Sequence, residues 1–210
     1  MDSLRVGRAA ELSAGQLAEV RVIYEQAFPP ELRVPFGALA VDGPGDLLLA
    51  ALAGPVPVAF AVSMLLEEHG WVFLRYYGVA ARRRRQGLGL RFWQLLRTAL
   101  LEVGWPGRIV FEVEDPDHAQ AEPARRVCLD RIEFWRSCGC ALLPISGYVM
   151  PDISGLAQPE PMLLMAAGPD PSSGLQAAEL GGLVRAIYSR RYGLGSDDPL
   201  VASALASIAG

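Results

Sequence analysis

The sequence predicts an α/β sandwich with a mixed sheet, and three observations carry that reading. Apolar residues recur at helical spacing near the N-terminus. Three strand-like apolar runs then follow one another across short Gly- or Pro-containing turns. From there the pattern alternates strand, helix, strand, helix, strand.

Each element has a local reason. Leu17, Val20, Tyr24, Ala27 and Phe28 share one helical face, and Pro29-Pro30 stops that helix. A short helical turn is expected around Phe36 to Leu39. Asp46 to Ala53 and Val56 to Leu66 are apolar runs separated by Gly54-Pro55, a hairpin pattern. Glu68-His69-Gly70 makes the tight turn into a strand at Trp71 to Val79. The next helix, Leu88 to about Val103, is strongly amphipathic: Leu88, Phe92, Leu95, Leu96, Ala99 and Val103 face the core, while Arg91, Gln94, Thr98 and Glu102 face solvent. Gly104-Trp105-Pro106-Gly107 ends it. A strand from Arg108 to Val113, a polar loop from Asp115 to Pro123 and a helix from about Ala124 to Ser137 follow. Cys140 to Leu143 and Met162 to Ala167 are the remaining strands.

Residues 168–174, Gly-Pro-Asp-Pro-Ser-Ser-Gly, read as a linker by composition. They separate a domain at 1–167 from a helical C-terminal extension at 175–210. In the extension, Leu180, Leu183, Val184, Ile187 and Tyr188 form an apolar stripe on a helix running to about Tyr192, although Gly181-Gly182 weakens its start. Residues 199–208 could add a short helix. The extension is expected to pack on its own domain or on a partner subunit, as a homodimer contact or as a lid over an acceptor cleft.

Composition excludes several classes. A chain of 210 residues, 51% hydrophobic and 20% charged, buries one core. A net charge of -4 and pI near 5.3 argue against a general nucleic-acid binder. Cys128, Cys138 and Cys140 cannot all pair within one chain, and with only His69 and His118 available no metal site is expected. The N-terminus lacks a signal-peptide pattern and no run is long and apolar enough for a membrane span. These features predict a cytoplasmic protein with no membrane partner.

The most informative stretch is Arg82-Arg83-Arg84-Arg85-Gln86-Gly87-Leu88-Gly89, lying between a strand and an amphipathic helix. Glycines let a backbone approach phosphate closely, and the unpaired N–H groups and dipole of a helix start favour an anion. An arginine run of this kind also suits a solvated surface or a nucleic-acid contact, but its position points to a pyrophosphate. The stretch is neither G-x-x-x-x-G-K-[ST] nor G-x-G-x-x-G.

Arg84-Arg85-Gln86-Gly87-Leu88-Gly89 resembles the R/Q-x-x-G-x-G/A signature of the GNAT superfamily of N-acetyltransferases. Three further stretches agree in order. Tyr77-Gly78-Val79-Ala80-Ala81 looks like the end of that family's fourth strand, Phe111-Glu112-Val113 like its fifth, and Phe134-Trp135-Arg136-Ser137-Cys138-Gly139-Cys140 like the end of its fourth helix. Ile23 to Glu31 is similar to the end of its first helix. The resemblance covers about residues 1–167. It implies a mixed, mostly antiparallel central sheet flanked by helices, binding acetyl-CoA and an amine acceptor. Val79, Ala80, Ala81, Arg84, Arg85, Gln86, Gly87, Leu88, Gly89, Leu90 and Trp135 would contact the coenzyme.

The implied reaction is direct attack of an amine on the thioester. It needs a held coenzyme, a base and a way to satisfy the leaving thiolate. Glu112 sits where the resemblance puts a base used by some members, and Glu114 shares its strand face by the two-residue period. Both could instead lie in solvent at a strand end. The family's frequent acid, a tyrosine, falls on Trp135, whose indole cannot act as an acid near neutral pH. Tyr148 is the nearest downstream substitute, with Tyr76 and Tyr77 as alternatives. An acyl-CoA-binding regulatory module without catalysis is the competing function.

Overall fold

A computed structural model of the chain describes residues 4–40, 43, 45–153, 155, 158–168 and 175–208. They divide into two compact units. The first takes in the described residues of Met1–Leu65, Leu74–Pro106 and Ile153–Leu156, the second those of Leu66–Phe73, Gly107–Asp152 and Ala157–Gly210.

In the first unit, β1 (Leu4–Arg8) pairs antiparallel with β2 (Asp46–Ala53), which pairs antiparallel with β3 (Val56–Leu66). The order continues to β4 (Trp71–Val79), whose Leu74–Val79 portion belongs here. Helix α1 (Ala14–Ala27) starts at Ser13, whose hydroxyl accepts from Gln16 N–H while the Gln16 side chain answers Ser13 N–H. Its Val20, Ile23 and Tyr24 pack on Leu48, Ala50 and Leu52 of β2, Phe60 and Val62 of β3, and Tyr76 of β4. These strand residues are all even-numbered, the period-two signature of one sheet face. Helix α2 (Leu88–Glu102) buries Leu88, Phe92, Trp93, Leu96 and Leu100.

In the second unit, Val72 and Phe73 of β4 pair in parallel with Ile109 and Val110 of β5 (Ile109–Glu114). Antiparallel to β5 runs β8 (Glu160–Ala167), which also pairs antiparallel with β6 (Ala141–Leu142) and β7 (Val149–Met150). Helix α3 (Glu122–Ser137) follows β5 in sequence. Helices α4 (Ala177–Tyr192) and α5 (Pro199–Ala206) belong to this unit and bury Leu180, Leu183, Val184, Ile187, Tyr188, Val201 and Ala204.

The sheet and its flanking helices agree with the sequence, with local differences. β1 and the two-residue β7 were not foreseen. Both are short, and β1 carries two arginines and a glycine in five residues, so only its partner strand makes it a strand. α3 begins before Pro123, because proline suits a first helical turn where its missing N–H costs nothing. α4 starts at Ala177 despite Gly181 and Gly182. A Cβ at Gly181 would come 3.5 Å from Leu205 Cδ2, and one at Gly182 would come 3.3 Å from the His69 ring. Of these two contacts only the Gly182 one is tight, and burial of Leu180, Leu183, Val184, Ile187 and Tyr188 carries the helix over a cost of about 1 kcal/mol for each glycine. Of the linker expected at 168–174, residues 169–174 lie outside the described residues.

None of the three cysteines forms a disulfide, and Cys138 and Cys140 are buried. Burial pushes the Cys128 and Cys138 thiols up from their ordinary pKa. No helix among the described residues is long and apolar enough to cross a membrane.

Candidate functional site

Two groups of predicted residues are built, one in each unit. In the first, β4 leads through a single helical turn at Ala81–Arg83 to the start of α2. Ala80 N–H donates to Val58 O at 2.9 Å, so by strand alternation the main-chain groups of Val79 turn away from β3. Arg84 Nε donates to that Val79 carbonyl at 3.1 Å, and Gln86 Nε2 donates to Arg82 O at 3.0 Å. The turn therefore closes on its own side chains and leaves Arg82, Arg84, Arg85 and Gln86 at the surface. Arg85 and Gly87 both have left-handed backbone, with φ of 60° and 72°.

Gly87 is the residue before the first turn of α2, and no side chain caps that turn. The helix start presents N–H groups with no intrahelical acceptor, next to an arginine run, which is a fit for phosphate oxygens. Tyr77 fixes this start: its hydroxyl donates to Gly89 O at 2.5 Å and its ring stacks on Phe92, 5.2 Å between centroids. Leu88 is buried, while Gly89 and Leu90 are more open.

In the second unit, Glu112 of β5 accepts two phenol hydrogen bonds on one oxygen. Tyr148 and Tyr192 hydroxyls each donate to Oε1 at 2.6 Å. Glu112 keeps some exposure as a residue, yet the protein packed around its carboxyl group raises its pKa from the ordinary carboxylate value. The two phenols and the nearby Arg191 charge pull the other way. Burial, followed by the Glu112 charge, lifts both phenols well above the ordinary tyrosine value, so they stay protonated donors. Tyr188 is pushed up to about 12, chiefly by burial.

The other candidates have different surroundings. Glu114 forms an ion pair with Arg131 of α3, so the two carboxylates that share a strand period are engaged by different partners. Trp135 is 6% exposed, its ring 4.4 Å from that of Phe111 and 5.0 Å from that of Phe134. Phe111 and Glu112 are consecutive in a strand, so Trp135 packs on the face of β5 opposite the carboxylate. Tyr76 donates to Leu32 O at 3.0 Å and Tyr77 to Gly89, so both β4 phenols hold main chain. Among the described residues, no three or more His, Cys, Asp or Glu side chains form a group that could hold a metal ion.

Sequence reasoning missed Tyr192. It lies 80 positions from Glu112. The available signal was Tyr188 and Tyr192 one helical turn apart on the apolar stripe of α4.

No protein-family model and no curated protein sequence matches the chain. Solved structures do. A protein from Bacteroides thetaiotaomicron described as a GNAT-family acetyltransferase is 20% identical with a TM-score of 0.70, covering 92% of this chain and 99% of its own. The ribosomal-protein-S18-alanine N-acetyltransferase of Escherichia coli is 19% identical with a TM-score of 0.54, covering 80% and 98%. An aminoglycoside 6'-N-acetyltransferase complexed with coenzyme A is 16% identical with a TM-score of 0.56, covering 78% and 96%. The mixed, mostly antiparallel sheet and its flanking helices have the fold of the GNAT acetyltransferases.

Proposed function

We propose that the chain is an acetyl-CoA-dependent N-acetyltransferase that acetylates a primary amine of a small molecule, peptide or protein. The observation that carries this reading is the arginine-flanked, glycine-started and uncapped N-terminus of α2. The neighbours support it: one is complexed with coenzyme A and two carry N-acetyltransferase names.

In this reading the coenzyme pyrophosphate is held by N–H groups of Leu88, Gly89 and Leu90, with Arg84 and Arg85 supplying charge. The Val79–Ala81 main chain runs alongside the coenzyme arm. The amine nitrogen bonds to the acetyl carbonyl carbon, the C–S bond breaks, and coenzyme A leaves as the thiol. Glu112 takes a proton from the ammonium, and its raised pKa keeps it basic enough for that transfer. Tyr148 donates to Glu112 and is 1% exposed, so its role here is to hold the carboxylate rather than to protonate the leaving sulfur. Trp135 walls the fold beneath β5. A thiolate is a tolerable leaving group, and the second proton shed by the attacking nitrogen passes through water to the sulfur.

The test is release of coenzyme thiol when acetyl-CoA is incubated with a panel of amines. Tight coenzyme binding without release on any amine favours a regulatory module. Two variants separate the side chains. Trp135→Phe should keep most of the activity, losing packing and one indole N–H. Tyr148→Phe should lower turnover more, about tenfold, because a charge-assisted hydrogen bond to the base is lost while aromatic volume stays. Equal rates for both variants would remove Tyr148 from the mechanism.

A further inference from the structure

From the sequence, the C-terminal extension is expected to pack on its own domain or on a partner subunit, as a homodimer contact or as a lid. Its hydrogen bonds within the second unit give it a more specific place. Tyr192 is the last residue of α4, and Gly193 stops the helix behind it with a left-handed φ of 69°. Gly193 N–H donates to Ser189 O at 3.0 Å and Leu194 N–H to Tyr188 O at 3.1 Å, a closed helix end that fixes where Tyr192 stands. One turn earlier, the Tyr188 hydroxyl takes Val149 N–H at 3.2 Å and donates to Val149 O at 2.8 Å. At the other end of α4, Glu179 binds Arg108 at 2.5 Å, and the Arg108 guanidinium lies 4.2 Å from the centre of the Trp71 ring.

The second helix of the extension holds the segment that carries Tyr148. Gly147 N–H donates to Ser207 Oγ at 2.8 Å, and Ile145 bridges Ile208. A Cβ on Gly147 would come 2.9 Å from Ser207 Cβ, so the two chains approach as closely as glycine allows. Both phenols on Glu112 Oε1 are thus set by residues 175–208: Tyr192 directly, and Tyr148 through Tyr188, Ser207 and Ile208.

We propose that the C-terminal extension is a working part of the site, with Tyr192 a positioning residue that orients the Glu112 carboxylate through its hydrogen bond to Oε1. This rests on Glu112 being the base. The charged and titratable groups facing that carboxylate are Tyr148, Tyr188, Tyr192 and Arg191; from β8 its register partner is Leu164, which carries no charge. A phenol that donates to a carboxylate stabilises the ionised form. Loss of Tyr192 should therefore make Glu112 hold its proton to higher pH.

The test uses the full chain with Tyr192→Phe. The acidic limb of the kcat/KM–pH profile should move up by about one unit, with activity recovering at alkaline pH. In parallel, the Glu112 carboxyl is titrated by carbon-13 NMR of labelled glutamate, assigned with Glu112→Gln. That titration should rise by a similar amount without any substrate present. An unmoved NMR titration in a folded variant overturns the proposal. A moved titration with an unmoved pH profile upholds the role of Tyr192 and sinks Glu112 as the base. A second variant, difluorotyrosine placed at 192, keeps the shape and is a stronger donor, so the acidic limb and the NMR titration should both move down.

Discussion

Glu112→Gln is expected to lower turnover by about 10²-fold or more near neutral pH, with acetyl-CoA affinity nearly unchanged. Glutamine keeps an oxygen that can accept from both Tyr148 and Tyr192, so the loss isolates proton transfer from positioning. Steady-state rates across pH and calorimetric affinity check it. Full turnover at every pH would move the base to Glu114 or to water. The parent should lose activity as pH falls through the raised Glu112 pKa, because the base is then protonated.

The same substitution has a stability consequence of opposite sign. A carboxyl whose pKa is raised by folding binds its proton more tightly in the native state than in the unfolded chain. The stability this contributes is present below the unfolded value and is lost as pH rises through the folded one. Glu112→Gln removes that loss. The variant should therefore melt later than the parent at pH 8, and the gap should close toward pH 4. The protein holds the Glu112 carboxyl at a cost in stability.

Gly87→Val is expected to abolish acetyl-CoA binding. A β-branched side chain at φ 72° would stand where phosphate must approach the α2 N–H groups. Left-handed backbone costs a non-glycine residue about 1–2 kcal/mol, which a domain of this size should survive. Circular dichroism checks the fold and calorimetry the affinity. Unchanged affinity in a folded variant would remove the phosphate cradle and the reading built on it.

What the sequence made legible was local. The arginine turn, Gly87 and the amphipathic period of α2 are contiguous, so a glycine-started, arginine-flanked helix start could be read without knowing the fold. Glu112 was visible as an acidic residue in an apolar strand, where its charge is anomalous. Its equivalence to Glu114 was also visible, and misleading. The strand period relates the two carboxylates, whereas Arg131 and the phenols that part them arrive from α3, α4 and the segment before β7. Tyr192 was beyond reach for the same reason: no periodicity links residue 192 to residue 112. The short strands β1 and β7 owe their existence to partners rather than to their own composition.

The buried thiols bear on how the chemistry can be watched. Cys138 and Cys140 flank Gly139 between α3 and β6, and burial keeps Cys138 and Cys128 away from the reactive thiolate form. A disulfide dye added to the folded protein would therefore read coenzyme release over a background set by the half-buried Cys128. Left for longer, the same dye becomes a clock for the protein itself. Cys138 and Cys140 react only when the end of α3 lifts from its surroundings, so their slow labelling reads the local opening free energy of that junction.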